Sequence, residues 1–224
     1  ADPAIRRWAK KLRILTPNLD HVSPLRFNPL AIMPGIQRDE HIESLLQCFQ
    51  GAMPMGGPLP ALLWEALDTV YRLHPDPADP PVMSDLVDVL ERVINSKNYS
   101  HDIKSNLLGA LQVRVAMLTR GTIGKVFQCA RCVPDFAELM RCQAIIELDG
   151  MMEEHACLLT MFLANAVCEY FRVTPRTGAG LRYVLGIEEA HVLVGRTGEA
   201  TPSESNPNPK AYAARFITRM LAEM

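Results

Sequence analysis

The stretch between residues 144 and 187 constrains the fold more than any other. Ala144-Ile145-Ile146-Glu147-Leu148-Asp149 reads as a compact apolar strand. Glu153 to Phe171 follows as a long helix, apolar most of the way round and therefore buried. Arg182-Tyr183-Val184-Leu185-Gly186-Ile187 is a second continuous apolar run. Unbroken apolar strands alternating with helices predict an α/β fold whose mostly parallel sheet is covered on both faces. Near the N-terminus, Leu12-Arg13-Ile14-Leu15 supplies a further short strand, ending at Thr16-Pro17-Asn18.

Between these strands, helices dominate. Ile42, Leu45, Leu46 and Phe49 repeat at helical spacing until Pro54 to Pro58, and Leu62, Leu63, Ala66, Leu67, Val70 and Tyr71 mark a second helix. After a Pro/Asp-rich loop, His74 to Pro81, Ser84 is placed to cap a helix with Leu86, Val87, Leu90, Val93 and Ile94 inward. A fourth helix runs from about Asp102, with Ile103, Leu107, Leu111 and Leu118 on one face and Gly121 as its stop. Gly195 to Lys210 is polar and proline-rich, a loop, and a last helix begins near Lys210. The predicted layout is the start of an α/β core over 1–37, a helical insertion over 38–140, and a return to the core over 141–224.

With 224 residues and a net charge of -2, the chain has no global basic field, so any nucleic-acid contact has to be local. No apolar run approaches the roughly 18 residues that span a bilayer. The richest, Ala156 to Phe171, is interrupted by Asn165 and Glu169. The first residues lack the apolar segment of a secretory signal, and the six cysteines sit mostly among apolar neighbours, as small buried thiols do in a reducing cytoplasm. A cytoplasmic protein without a membrane partner is expected. Cys129 and Cys132 form one isolated C-x-x-C pair, whereas a structural zinc site wants four ligands.

The chemistry-bearing stretch is Tyr183-Val184-Leu185-Gly186-Ile187-Glu188-Glu189-Ala190-His191. Two carboxylates inside a buried strand would each cost several kcal/mol of desolvation, so they belong at its end. There they meet the crevice where open α/β sheets bind ligands. One acid can hold Mg²⁺ and its neighbour can polarise a water for attack on a γ-phosphate. A solvated pair that merely begins a helix is an equally good reading of the residues alone.

Strand-Glu-Glu-Ala-His resembles the Walker B element of the HerA family within the FtsK/HerA superfamily of ring ATPases. Four further stretches resemble that family in its own order: Pro24 to Leu30 (the "RFNPL" segment), Leu118 to Phe127 (an L-x-x-G-x-x-G-x-x-F turn), Ile145 to Asp149 (a core strand) and Phe216 to Glu223 (a core helix). The resemblance implies a RecA-like P-loop NTPase core with a helical insertion, ATP and Mg²⁺ as cofactors, and a hexameric ring. That ring would move along double-stranded DNA beside a nuclease or effector partner. Glu188 would be the Mg²⁺-associated acid, directly or through water, and Glu189 the catalytic acid that activates water. His191 is expected to start a helix or pack.

The phosphate-binding loop G-x-x-x-x-G-K-[ST] is not in this sequence. Gly121-Thr122-Ile123-Gly124-Lys125-Val126 has the wrong glycine spacing and follows a helix. The chain alone is therefore expected not to hydrolyse ATP well. Arg120 and Lys125 in that turn are the candidates for DNA contact, beside a plain solvated loop, and Arg215 and Arg219 read as solvated helix arginines. Two alternatives stay open: an ATPase of the type IV secretion or conjugation kind, and a non-catalytic oligomerisation scaffold.

Overall fold

Residues Leu12–Leu15 and Gln143–Ile146, far apart in sequence, hydrogen-bond as neighbouring parallel strands. This is the parallel pairing expected when a strand is followed by a long helical crossover. The structure, a computed structural model, describes residues 11–17, 19, 23–174, 183–190 and 208–223. In chain order its elements are β1 (Leu12–Leu15), α1 (Arg38–Ala52), α2 (Leu59–Leu73), α3 (Met83–Ser96), α4 (His101–Leu107), a π-helical turn (Leu108–Gln112), α5 (Val113–Met117), α6 (Gly121–Phe127), α7 (Phe136–Leu139), β2 (Gln143–Ile146), α8 (Glu153–Val173) and α9 (Pro209–Glu223). Among the described residues the protein is thus an α/β chain, mostly helical, with two parallel strands.

Two compact units divide the chain. The first holds residues 1–31 and 69–152; the second holds 32–68 and 153–224. Residues 38–140 are shared between them, α1 falling in the second unit and α3 to α7 in the first.

In the first unit β1 and β2 pair in register from Leu12↔Gln143 to Leu15↔Ile146. The ladder continues as the Glu147 amide donates to the Leu15 carbonyl at 2.9 Å, and the Thr16 hydroxyl donates to the Glu147 carboxylate at 3.0 Å. Among the described residues, no helical layer covers the sheet at its centre. The cross-strand neighbours Ile14 and Ile145 are 45% and 44% exposed. Among the described residues the two strands pair only with each other, which leaves little area to carry a helical layer.

The helices of this unit bury Leu86, Leu90, Val93 and Ile94 of α3, as their spacing predicts, with Val89 in place of Val87. The start of α3 is closed differently from expectation. The Asp85 carboxylate accepts from the Val82 amide at 2.8 Å, while the Ser84 amide donates to the Gln128 side chain at 3.0 Å. Asp85 reaches back across the first turn, so the serine is not needed as the cap. Along α4, the π-helical turn and α5, the buried line is Leu107, Leu111, Val115 and Leu118. The wider π turn keeps residues four apart aligned, and Ile103, in the first turn, stays exposed.

The second unit is built on α8, which packs against α1 and α9. Phe49 of α1 meets Phe162 of α8 edge to face at 5.3 Å. Among the described residues α8 is the one helix long and apolar enough to cross a membrane, with a mean hydropathy of 1.3, yet 56% of that window is buried inside the protein. Its apolar girdle serves the core of this unit. Gly51 of α1 lies so close that a Cβ there would meet the Met161 side chain at 2.5 Å.

Candidate functional site

The acidic pair lies in the second unit. Tyr183 anchors its segment, the ring meeting Phe171 near the end of α8 at 5.5 Å. From there the structure departs from expectation. Residues 183–187 adopt no regular element and have no ladder partner among the described residues, and Val184 and Leu185 are exposed. A strand exists through its neighbour's hydrogen bonds, and an apolar run without one remains irregular. Glu188 and Glu189 then form a turn, both exposed, and Glu189 carries a φ of 52°. That left-handed backbone costs a non-glycine residue about 1–2 kcal/mol. It also breaks the strict alternation by which consecutive strand side chains point to opposite sides. His191 lies outside the described residues.

The resemblance calls for ATP and Mg²⁺. Oxygen donors suit Mg²⁺, which takes one or two carboxylates and completes its shell with water and phosphate oxygens. Two exposed, adjacent carboxylates at a turn fit the carboxylate share of such a site. Among the described residues no group of three or more His, Cys, Asp or Glu side chains gathers to hold a metal without further ligands.

The glycine-rich turn has a structural explanation residue by residue. Leu118 is buried, Gly121 takes a φ of +58° between α5 and α6, and Phe127 is fully buried. A Cβ on Gly124 would stand 2.4 Å from the backbone carbon of Thr119. Its glycines therefore serve the bend and a close backbone approach. Arg120 and Lys125 are exposed on this turn, in the first unit, whereas the acidic pair belongs to the second.

The Arg26 to Leu30 segment is likewise held by its own polar groups. Arg26 and Val133 exchange two backbone hydrogen bonds of 2.8 Å. Asn28, 2% exposed, donates to the Pro81 carbonyl at 3.0 Å and accepts from the Leu30 amide at 2.9 Å. The Tyr71 hydroxyl donates to the Leu30 carbonyl at 2.9 Å. Beyond it, burial, reinforced by the neighbouring Cys132 thiol, pushes the Cys129 thiol up to about 12, and burial raises Cys132 as well. Both thiols are held in their protonated, unreactive form.

One polar constellation has no counterpart in the sequence reading. His41 of α1 and Glu169 of α8, 2% and 3% exposed, approach at 2.7 Å through Nδ1 and Oε1. The Asn165 side-chain amide donates to the same oxygen at 2.9 Å. The signal was present in part: Asn165 and Glu169 interrupt an otherwise apolar helix at i, i+4 spacing, which is how a buried polar pair announces itself. Nothing in the sequence names His41 as their partner. On α9, Arg219 approaches the Ser44 hydroxyl at 3.5 Å and lies 5.9 Å from the Phe216 ring centre.

No family model, curated protein or solved structure matches this chain.

Proposed function

We propose that this chain is part of a HerA-like ring ATPase, a RecA-like motor that couples ATP hydrolysis to movement along duplex DNA. The observation that carries this reading is the acidic pair: Glu188-Glu189 follows an apolar run and sits at a backbone turn, Glu189 having a φ of 52°. Such a turn frees two adjacent acids from pointing to opposite sides, as a shared task requires. The parallel pairing of β1 with β2 around a helical block is in keeping with a core that carries an insertion.

In this reading Glu188 contributes a carboxylate to a Mg²⁺ shell, directly or through water, and Glu189 accepts a hydrogen bond from the attacking water and orients it. Mg²⁺ with ATP supplies charge neutralisation at the phosphates. These 224 residues contain no G-x-x-x-x-G-K-[ST] motif, so the reading requires a phosphate loop that they do not supply.

The test is ATP hydrolysis, with and without duplex DNA, by a polypeptide that joins this chain to a phosphate-binding loop. DNA-stimulated turnover that Glu189→Gln abolishes is the expected result. Turnover indifferent to that substitution refutes the assignment, and turnover that ignores DNA favours a secretion-type motor. Turnover by the 224-residue chain alone, lost in Glu189→Gln, would overturn the need for a separate phosphate loop.

A further inference from the structure

In the first unit, residues 126–133 form a loop pinned at both ends to one short segment. The Phe27 amide donates to the Val126 carbonyl at 2.8 Å, and Arg26 and Val133 exchange two backbone hydrogen bonds of the same length. The loop therefore leaves and returns at neighbouring positions, as compact Ω-type loops do. Cys129 and Cys132 stand on it as half-buried free thiols. The Cys129 thiol reaches back to the Val126 carbonyl at 3.5 Å. The Arg26 guanidinium favours negative charge on Cys129, against the burial and the Cys132 thiol that oppose it. The Asn28 backbone amide donates to the Cys132 sulfur, again against burial. Two thiols three residues apart thus share one side of the loop, next to residues 26–28, and the Cys132 thiol is close enough to act on Cys129.

We propose that Cys129 and Cys132 together bind one Cu(I) ion, each sulfur supplying a thiolate. The proposal is independent of ATP hydrolysis and uses none of the acidic-pair residues. Soft thiolate ligands select Cu(I), an ion that two of them can saturate. A structural Zn²⁺ site asks for four ligands, and among the described residues no third His, Cys, Asp or Glu gathers with this pair. A coordinating metal removes the thiol proton outright, so thiols that stay protonated without metal still become ligands. The same protonation argues against a redox pair, whose attacking sulfur must be a thiolate. Two thiols and one Cu(I) give one bis-thiolate complex and two protons, with no change of oxidation state. The complex carries one negative charge, which the Arg26 guanidinium partly offsets, and the Asn28 amide holds the Cys132 sulfur in place.

The test is an anaerobic titration of the full chain with Cu(I) held as its bicinchoninate complex, whose colour falls as the protein takes the ion. The expected result is one Cu(I) per chain, with two protons released per ion. Cys129→Ser and Cys132→Ser each abolish that uptake, whereas Cys142→Ser, in the same unit, leaves it intact. Circular dichroism checks that each variant is folded. X-ray absorption at the copper edge of the unsubstituted chain should show two sulfur neighbours, an answer that needs no variant. The proposal is overturned if the chain takes no Cu(I) from the complex, or if uptake survives either substitution in folded protein. It is equally overturned if one proton leaves per ion, if copper has nitrogen or oxygen neighbours in place of two sulfurs, or if Zn²⁺ at equal concentration displaces Cu(I).

Discussion

Removing the Glu169 carboxylate should unfold the second unit more readily than any surface change. Glu169 is 3% exposed and its Oε1 accepts from Asn165 at 2.9 Å while pairing with His41 Nδ1 at 2.7 Å. Glu169→Ala leaves both nitrogens without that partner. At about 1–3 kcal/mol for each buried group left unsatisfied, the loss is about 2–6 kcal/mol. Breaking one side of a buried pair typically costs about 3–5 kcal/mol, which falls within that range. Glu169→Gln keeps an acceptor oxygen in a side chain of the same shape and is expected to cost less than Glu169→Ala. Combining His41→Leu with Glu169→Met removes both halves of the pair, so the double variant should lose about 2 kcal/mol less than the sum of its single changes. Urea unfolding by circular dichroism gives the energies, and hydrogen exchange of α1 and α8 amides shows where protection is lost. A Glu169→Ala cost below about 1 kcal/mol, or additivity within about 0.5 kcal/mol in the cycle, would refute the reasoning.

Two further outcomes follow from the same geometry. Gly124→Ala raises intrinsic helix propensity by about 1 kcal/mol. Yet its Cβ would stand 2.4 Å from Thr119 backbone, so a net loss of about 1–3 kcal/mol is expected in urea unfolding, and a gain would refute the close approach. The Cys157 thiol is pushed up to about 11, chiefly by burial and further by Glu153. At pH 8 its thiolate fraction is roughly 100-fold below that of an ordinary thiol, so iodoacetamide should label it slowly, with a rate rising about tenfold per pH unit towards pH 11. A rate that levels off by pH 9 would contradict the shift.

The helices were legible because their signal is local. Apolar spacing placed most of the buried faces of α1 to α5, Val87 and Ile103 excepted, and Gly121, read as a helix stop, lies at the bend before α6 with a φ of +58°. The strands were legible only where a partner exists. Leu12–Leu15 and the run at 144–149 both read as strands, and β1 and β2 do pair. The equally apolar run at 183–187 does not form one among the described residues, because hydrophobicity does not specify which neighbour donates the ladder. The helix start at Met83 was misread for a related reason: Ser84 and Asp85 are both competent caps, and only the fold decides that Asp85 reaches the Val82 amide.

The sequence by itself determined the residue chemistry of the candidate site: two adjacent acids after an apolar run, and no phosphate loop. It also determined that α8 carries two polar residues one turn apart in an apolar surround. Tertiary structure decided the rest. It brought His41 to Glu169 across α1 and α8, pinned the loop bearing Cys129 and Cys132 to Arg26 and Phe27, and bent the backbone at Glu189 into the left-handed region. The division has a physical cause. Composition and periodicity encode which side chains must leave water, and these are properties of neighbours in sequence. Which buried polar groups meet depends on how separate helices dock, and that is fixed only when the whole core has packed.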